Sequence, residues 1–348
     1  MNSFEANFIE SQPITQSLLQ TIRLIGEYKG KQELFKQQAP QSLKTLRQLA
    51  IVQSTESSNR IEGITAPLER IKKLVADKTS PRDRSEQEIA GYRDVLNTIH
   101  NSWQHIPFTP NIVLQLHRDL YQFSVGQGGR WKTVDNEITE TRPDGTQFIR
   151  FQPVSAAATP DAVGQLHQRF NSLWESGQVE PLLLIPTYVL DFLCIHPFLD
   201  GNGRIARLLT LLLLYKAGYE VGRFISLERL VENTKESYYD TLYKSSQNWH
   251  QKQHDLLPWY SYFLGVVMLS AYREFEQRVG LVSLSKGAKT AMVLETIGKL
   301  SGEFSIRDLQ DKCPTVGIDL IRRILRQERD AGRLSCLGRG ANARWQKK

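Results

Sequence analysis

Residues 182–195, LLLIPTYVLDFLCI, read as a buried helix, and a second helical pattern opens inside HPFLDGNGRIAR (196–207) and runs to Gly218. Two such helices commit the body of the chain to helix-on-helix packing, with the polar loop between them carried on a rigid platform. Gly201 and Gly203 flank Asn202, so the backbone can approach another group closely there. Arg204 and Arg207 then stand at the start of the second helix, the end where positive charge is least welcome. That end also presents unpaired N–H groups, and Gly201-Asn202-Gly203 would let them wrap an anion. The arginines are spaced i,i+3 on one face, and their forked guanidiniums suit phosphate oxygens. A polyphosphate satisfies these features together. Asp200 adds a hard oxygen ligand of the kind Mg2+ uses on a nucleotide. His196 adds a general base for neutral pH. The stretch is not a P-loop, because no Gly-Lys-Ser/Thr follows.

Helical periodicity recurs along the rest of the body. Residues 14–36 are helical behind Pro13, and Pro40 opens a stretch that stops at Gly63. Further helices are expected near 68–77, 85–101, 160–176, 182–195, 226–250 and 256–280. The turn-rich segment 124–153 contains Asp144-Gly145 between alternating residues, a hairpin signal. Cys194, Cys313 and Cys336 form neither a disulfide framework nor a zinc spacing, which favours a reducing compartment. The opening MNSFEANFIESQPITQ has no secretory pattern. The longest apolar run, near Leu208 to Leu214, is too short for a bilayer. A cytoplasmic chain with no membrane partner is expected.

Charge divides the chain. Residues 286–348 hold 14 Lys+Arg against 7 Asp+Glu and so account for the whole formal net charge of +7. LVSLSKG (281–287) reads as a linker, and 288–348 as helix, short helix, turn, basic helix and glycine-containing ribbon, the order of a winged helix-turn-helix. Arg322, Arg323, Arg326 and Arg329 lie along one side of the basic helix and Ile318, Ile321, Ile324 and Leu325 on the other. Ser305 is placed to cap the short helix. GRGAN (338–342) is the wing tip, flanked by Arg333, Arg339 and Arg344. Such a module binds a duplex through phosphates or serves as a protein-docking or dimer module, and both readings stand.

The motif at 196–207 resembles that of the Fic family, HPFx(D/E)GNGRxxR, at every defined position: His196, Pro197, Phe198, Asp200, Gly201, Asn202, Gly203, Arg204 and Arg207. The resemblance extends over about residues 10–275. It implies a mainly α fold: a Fic-type helical core (106–280) with a β-hairpin flap and an N-terminal helical region (1–105), to which the element order of 288–348 adds the small C-terminal winged helix-turn-helix. It implies transfer of AMP from ATP to a Ser, Thr or Tyr hydroxyl of a target protein, or of the enzyme itself. His196 would take the hydroxyl proton, and Asp200 would hold Mg2+. The Gly201–Gly203 N–H groups and the Asn202 side chain would hold the α-phosphate, and Arg204 and Arg207 the β- and γ-phosphates. Ile205 and Ala206 complete the motif's ATP contacts, and Phe198 packs beneath the loop. The flap (131–151) would add a target strand, with Lys132, Val134, Asn136 and Ile138 clamping the target backbone. Tyr239, with Tyr238 next to it, is the choice for the adenine contact, beside Ser245-Ser246 where some relatives carry asparagine.

Glu62 ends a helix (about 41–63) where the dipole disfavours negative charge by ~0.3–1 kcal/mol. SNRIEG, Ser58 to Gly63, resembles the family's inhibitory (S/T)xxxE(G/N) motif. The resemblance implies that Glu62 pairs with Arg207 and keeps the γ-phosphate out, or alternatively that it orients a water for removing AMP. Three readings follow: a restrained AMP transferase, a DNA-binding regulator whose Fic core senses nucleotide, and a Fic enzyme with other chemistry such as AMP removal. The amphipathic helices of the body also offer a homodimer surface.

Overall fold

A computed structural model describes residues 2–347 apart from 39, 125–127, 142–145, 285–287, 301, 314–315 and 339–342. The described residues are mainly helical with two small antiparallel sheets. They divide into two compact units, one built from the residues up to Lys29 with Arg47–Arg273, the other from Gly30–Leu46 with Glu274 onward.

The first unit is organised around the helices Pro181–Ile195 and Asn202–Lys216, whose residues are almost all buried. Burial on every face is what their apolar composition requires. Helices Arg84–Ser102 and Thr159–Ser176 lean on this pair. The helix Pro40–Ile61 stops as expected at Gly63, where φ is +79°. The helix after Pro13 starts later than anticipated, at Gln16, because Thr15 Oγ1 accepts from Leu18 N and caps it. The pattern over 226–250 resolves into Leu227–Asn233, capped by Ser226, and Lys235–Ser246. A helix that sequence reasoning missed, Pro110–Leu120, is capped by Thr109 and has Pro110 in its first turn. The hairpin pairs Ile138–Thr141 with Gln147–Phe151; its expected Asp144-Gly145 turn lies outside the described residues.

In the second unit, helices Ala288–Lys299, Ile306–Lys312 and Ile318–Asp330 share a core with a three-stranded antiparallel sheet. Strand Arg344–Lys347 lies between Phe304–Ser305 and Leu334–Leu337. Ser305 forms a full capping box with Asp308. Residues 281–284, read as linker, continue the helix Leu269–Leu284, and 285–287 lie outside the described residues, as does the wing tip beyond Gly338. None of the described helices is long and apolar enough to cross a membrane.

Candidate active site

The polar loop leaves the helix Pro181–Ile195 through His196, whose backbone is left-handed at φ 50°, ψ 60°. That conformation costs a side-chain-bearing residue roughly 1–2 kcal/mol, so its surroundings must hold it. They do so through four consecutive carbonyls. Lys132 Nζ donates to Ile195 O (3.1 Å), Asn136 Nδ2 to His196 O (3.3 Å) and Phe198 O (3.0 Å), and Lys132 N to Pro197 O (2.9 Å). Asn202 closes the loop, accepting from Phe198 N and donating to Phe198 O. Phe198 is fully buried under the loop, its ring stacked on His117 with centroids 3.6 Å apart. Gly201, at φ +83°, turns the chain into the next helix.

Several expected roles change here. The Asn202 side chain is spent on Phe198, so only the backbone of the nest is left for a phosphate. Lys132, expected to clamp a target, is buried (3% exposed) and holds the loop from within; Asn136 does the same. Arg204, expected on a phosphate, is fully buried; it donates to Glu88 Oε2 (2.6 Å) and Tyr121 OH (2.7 Å) and approaches Asp200 Oδ1 at 3.5 Å. Its guanidinium therefore fixes the underside of the site. The Ile205 and Ala206 side chains are buried in the core, and Ile205 N donates back to Gly201 O, so neither faces the cavity. Val134 is solvent-exposed, whereas Ile138 lines the cavity.

That cavity, of about 920 Å³, brings together His196, Asp200, Gly201, Asn202, Gly203, Arg207, Glu62, Tyr238 and Tyr239. His196 Nδ1 lies 3.2 Å from Leu193 O. A carbonyl only accepts, so this contact selects the Nδ1–H tautomer and leaves Nε2 as the basic nitrogen. Burial, reinforced by the Lys132 charge, lowers the imidazole from 6.5 to about 4, so it is neutral at physiological pH. The Asp200 carboxylate is half exposed and accepts from Gly201 N at 2.6 Å.

Arg207 is only 7% exposed, and Glu62 Oε1 accepts from its Nη2 at 2.7 Å. Ser58 Oγ accepts from Arg207 Nε (2.8 Å) and Ser58 O from Nη2 (2.9 Å). Arg60 turns away to Glu56 and Glu232, as its helix position requires. Gly203 is what lets Glu62 come so near: a Cβ added there would lie 2.3 Å from Glu62 Oε1. Lys235 also lines the cavity and donates to Ile61 O at 2.8 Å, binding a last carbonyl of the same helix.

At the far end, Tyr239 lines the cavity while Tyr238 is more deeply buried. The second hairpin strand is pinned to this helix: Arg150 Nη2 donates to Tyr239 O at 3.1 Å and its guanidinium covers the Tyr243 ring. The supporting residues Glu88, His117, Tyr121 and Lys235 were missed by the sequence reading. His117 and Tyr121 belong with the overlooked helix, which the Thr109-Pro110 start and the spacing of Val113, Leu116 and Leu120 could have revealed. Nothing local marks Glu88 or Lys235.

Among the described residues, no group of three or more His, Cys, Asp or Glu side chains converges to hold a metal ion. The donor set fits an ion that takes one carboxylate, Asp200, and the remainder of its ligands from a bound polyphosphate and water, the usual habit of Mg2+.

Helical hairpin, glycine loop, buried arginine cluster and paired strands together make this the Fic fold. Residues 107–214 match the Fic/DOC family and form a Fic/DOC domain within the chain. A Fic family protein from Desulfovibrio desulfuricans G20 superposes over 97% of both chains with a TM-score of 0.63 at 22% identity. A Fic-domain signaling protein from Bacteroides thetaiotaomicron VPI-5482 covers 74% of this chain and 97% of its own, with a TM-score of 0.62 and 21% identity. The protein adenylyltransferase Fic of Drosophila grimshawi is 27% identical over 191 residues, 52% of this chain and 36% of that one. The chain thus spans about a third of the length of the curated relatives it matches.

Proposed function

We propose that this chain is a protein adenylyltransferase that moves AMP from ATP to a Ser, Thr or Tyr hydroxyl of a target protein and is restrained by Glu62. The observation that carries this reading is the neutral His196, its Nε2 without a hydrogen-bond partner among the described residues, on the same cavity as the glycine nest and Arg207. The target hydroxyl oxygen attacks the α-phosphorus, its proton passes to His196 Nε2, and the bond to the β-phosphate oxygen breaks to release pyrophosphate. The N–H groups of the nest stabilise the charge that develops on the α-phosphate. Arg207 is the cation for the outer phosphates, and Arg204 acts beneath Asp200. Asp200 would hold Mg2+, which supplies charge neutralisation on the polyphosphate when bound. The target is proposed to add a strand to the hairpin at 131–151.

Restraint follows from the pair already described. While Glu62 occupies Arg207, an incoming γ-phosphate finds its cation taken. The test is transfer of label from α-labelled ATP with Mg2+ in wild type, Glu62→Gly and His196→Ala. Label that rises with the first change and vanishes with the second supports the proposal; label on the chain itself identifies self-modification. No label in any variant that still binds ATP overturns it, and release of AMP from a pre-modified target would then favour AMP removal.

A second reading concerns the C-terminal unit, whose element order supports a winged helix. Arg322, Arg323, Arg326 and Arg329 are exposed on Ile318–Asp330. Arg322 pairs with Asp319, Arg329 with Asp330 and Arg333 with Glu328. Those pairs withdraw charge from a duplex, so contact with DNA would rest chiefly on Arg323 and Arg326.

A further inference from the structure

Lys132 is a buried ammonium whose hydrogen-bond partners, Asn136 Oδ1 (2.7 Å) and Ile195 O (3.1 Å), are both neutral. Keeping a charge in such a place is costly: burial lowers the ammonium from 10.5 to about 8 against the attraction of Asp135, so it is still charged at neutral pH, and an uncharged donor could make the same two hydrogen bonds. The feature that an uncharged donor would lack is a positive field at the adjacent imidazole. We propose that Lys132 is a positioning residue for His196: it holds the loop that carries the imidazole and sets a positive charge near it at neutral pH, rather than gripping a target. The inference rests on the reading of His196 as the base.

Two features of the loop support this. The segment from Lys132 to Asn136 supplies donors to every carbonyl from Ile195 to Phe198, the stretch that holds His196 in its left-handed conformation. The charges acting on His196 also leave a specific task for a cation. Glu62 and Asp200 both favour the imidazolium, and Lys132 opposes it. Of the cations lining the cavity, Arg207 is paired with Glu62, Arg150 with Glu140, and Lys235 is bound to Ile61 O. Without Lys132, two carboxylates would act on a base that must remain unprotonated to accept the hydroxyl proton. Lysine suits the task because its ammonium is a compact charge on a thin stem.

The test reads the imidazole directly. Histidine-labelled full-length chain is titrated by NMR, the His196 signal being assigned by its loss in His196→Ala. Wild type, Lys132→Met, Lys132→Gln and Lys132→Arg are compared, with folding checked by circular dichroism. His196 should titrate far below 6.5 in wild type and in Lys132→Arg, and should rise by about one unit in the two uncharged variants. A merely structural lysine would lower activity without moving this titration. A His196 that titrates unchanged in folded Lys132→Met or Lys132→Gln overturns the proposal, as does a wild-type His196 at or above 6.5, which needs no variant. Transfer assays run alongside should show kcat reduced by about tenfold or more in Lys132→Met with little change in KM for ATP. If wild type transfers nothing, the adenylyltransferase reading fails while the titration still decides the role of Lys132.

Discussion

Glu62 and Arg207 meet at 2.7 Å across 145 positions of sequence, and Ser58, one helical turn before Glu62, supplies the guanidinium with two further acceptors. Arg207 is thus held by three contacts from one helix end, of which only one is charged. Removing the carboxylate leaves Arg207 hydrogen-bonded and frees its outer face. Glu62→Gly is therefore expected to keep the fold and ATP binding while raising transfer several-fold or more. An unchanged rate in purified protein would argue against restraint by this pair.

The state of His196 makes a second prediction. With the imidazole lowered to about 4 by burial, the base stays available well below the ordinary histidine range. The pH profile of kcat/KM should show no acid limb near 6.5, and the rate at pH 5.5 should lie within about twofold of that at pH 7. A half-maximal point near 6.5 would mean that the base is solvated in the free enzyme.

Arg204 and Glu88 form a buried pair at 2.6 Å with no exit to the cavity. Glu88→Ala strands a buried guanidinium and should cost roughly 3–5 kcal/mol of stability. Nucleotide affinity of the folded fraction should change far less. Calorimetry for the first and titration with ATP for the second separate this from a phosphate-binding role for Arg204.

Asp191 lies fully buried behind the site, accepting from Ser3 N at 3.2 Å and Trp249 Nε1 at 2.5 Å and paired with the Ser3 hydroxyl. Desolvation lifts its carboxyl from 3.8 to about 6, against those hydrogen bonds. The folded state therefore binds the proton more tightly than the unfolded one. Its contribution to stability is full below the unfolded pKa and is lost as pH rises through about 6, a difference on the order of 3 kcal/mol. Urea unfolding at pH 4 and pH 7.5 should show wild type losing about that much more than Asp191→Asn. Equal losses would place the shift elsewhere.

The C-terminal unit tests its own charges. With Arg323 and Arg326 as the main phosphate contacts, affinity for a mixed-sequence duplex should fall only about tenfold between 50 and 200 mM salt. Arg323→Ala should flatten that slope. Absence of any mobility shift at low salt would favour protein docking.

Much of this site was legible because its chemistry is written locally. The i,i+3 arginines and Glu62 at a helix end each break an ordinary helix-terminus preference, the paired glycines mark a place of close backbone approach, and each feature marks the site. What was not legible is which way a side chain turns. Arg204 and Arg207 look alike in sequence, yet one faces Glu88 and Tyr121 and the other faces the cavity, because partners 116 and 145 positions away decide it. Asn202, Lys132 and Asn136 read as contacts for ligand or target for the same reason, although the loop's own backbone groups take them first. The helix at Pro110–Leu120 escaped notice despite clear capping and periodicity, so that omission owes nothing to tertiary context.

Gly203 belongs to the glycine nest proposed for a phosphate, and it also makes room for the Glu62 carboxylate. The Glu62 contact and the proposed phosphate nest thus draw on the same missing methyl group. On the proposed reading, catalysis and its restraint share one steric vacancy. On that reading, a lineage that abandoned restraint would be expected to lose Glu62 while keeping this glycine.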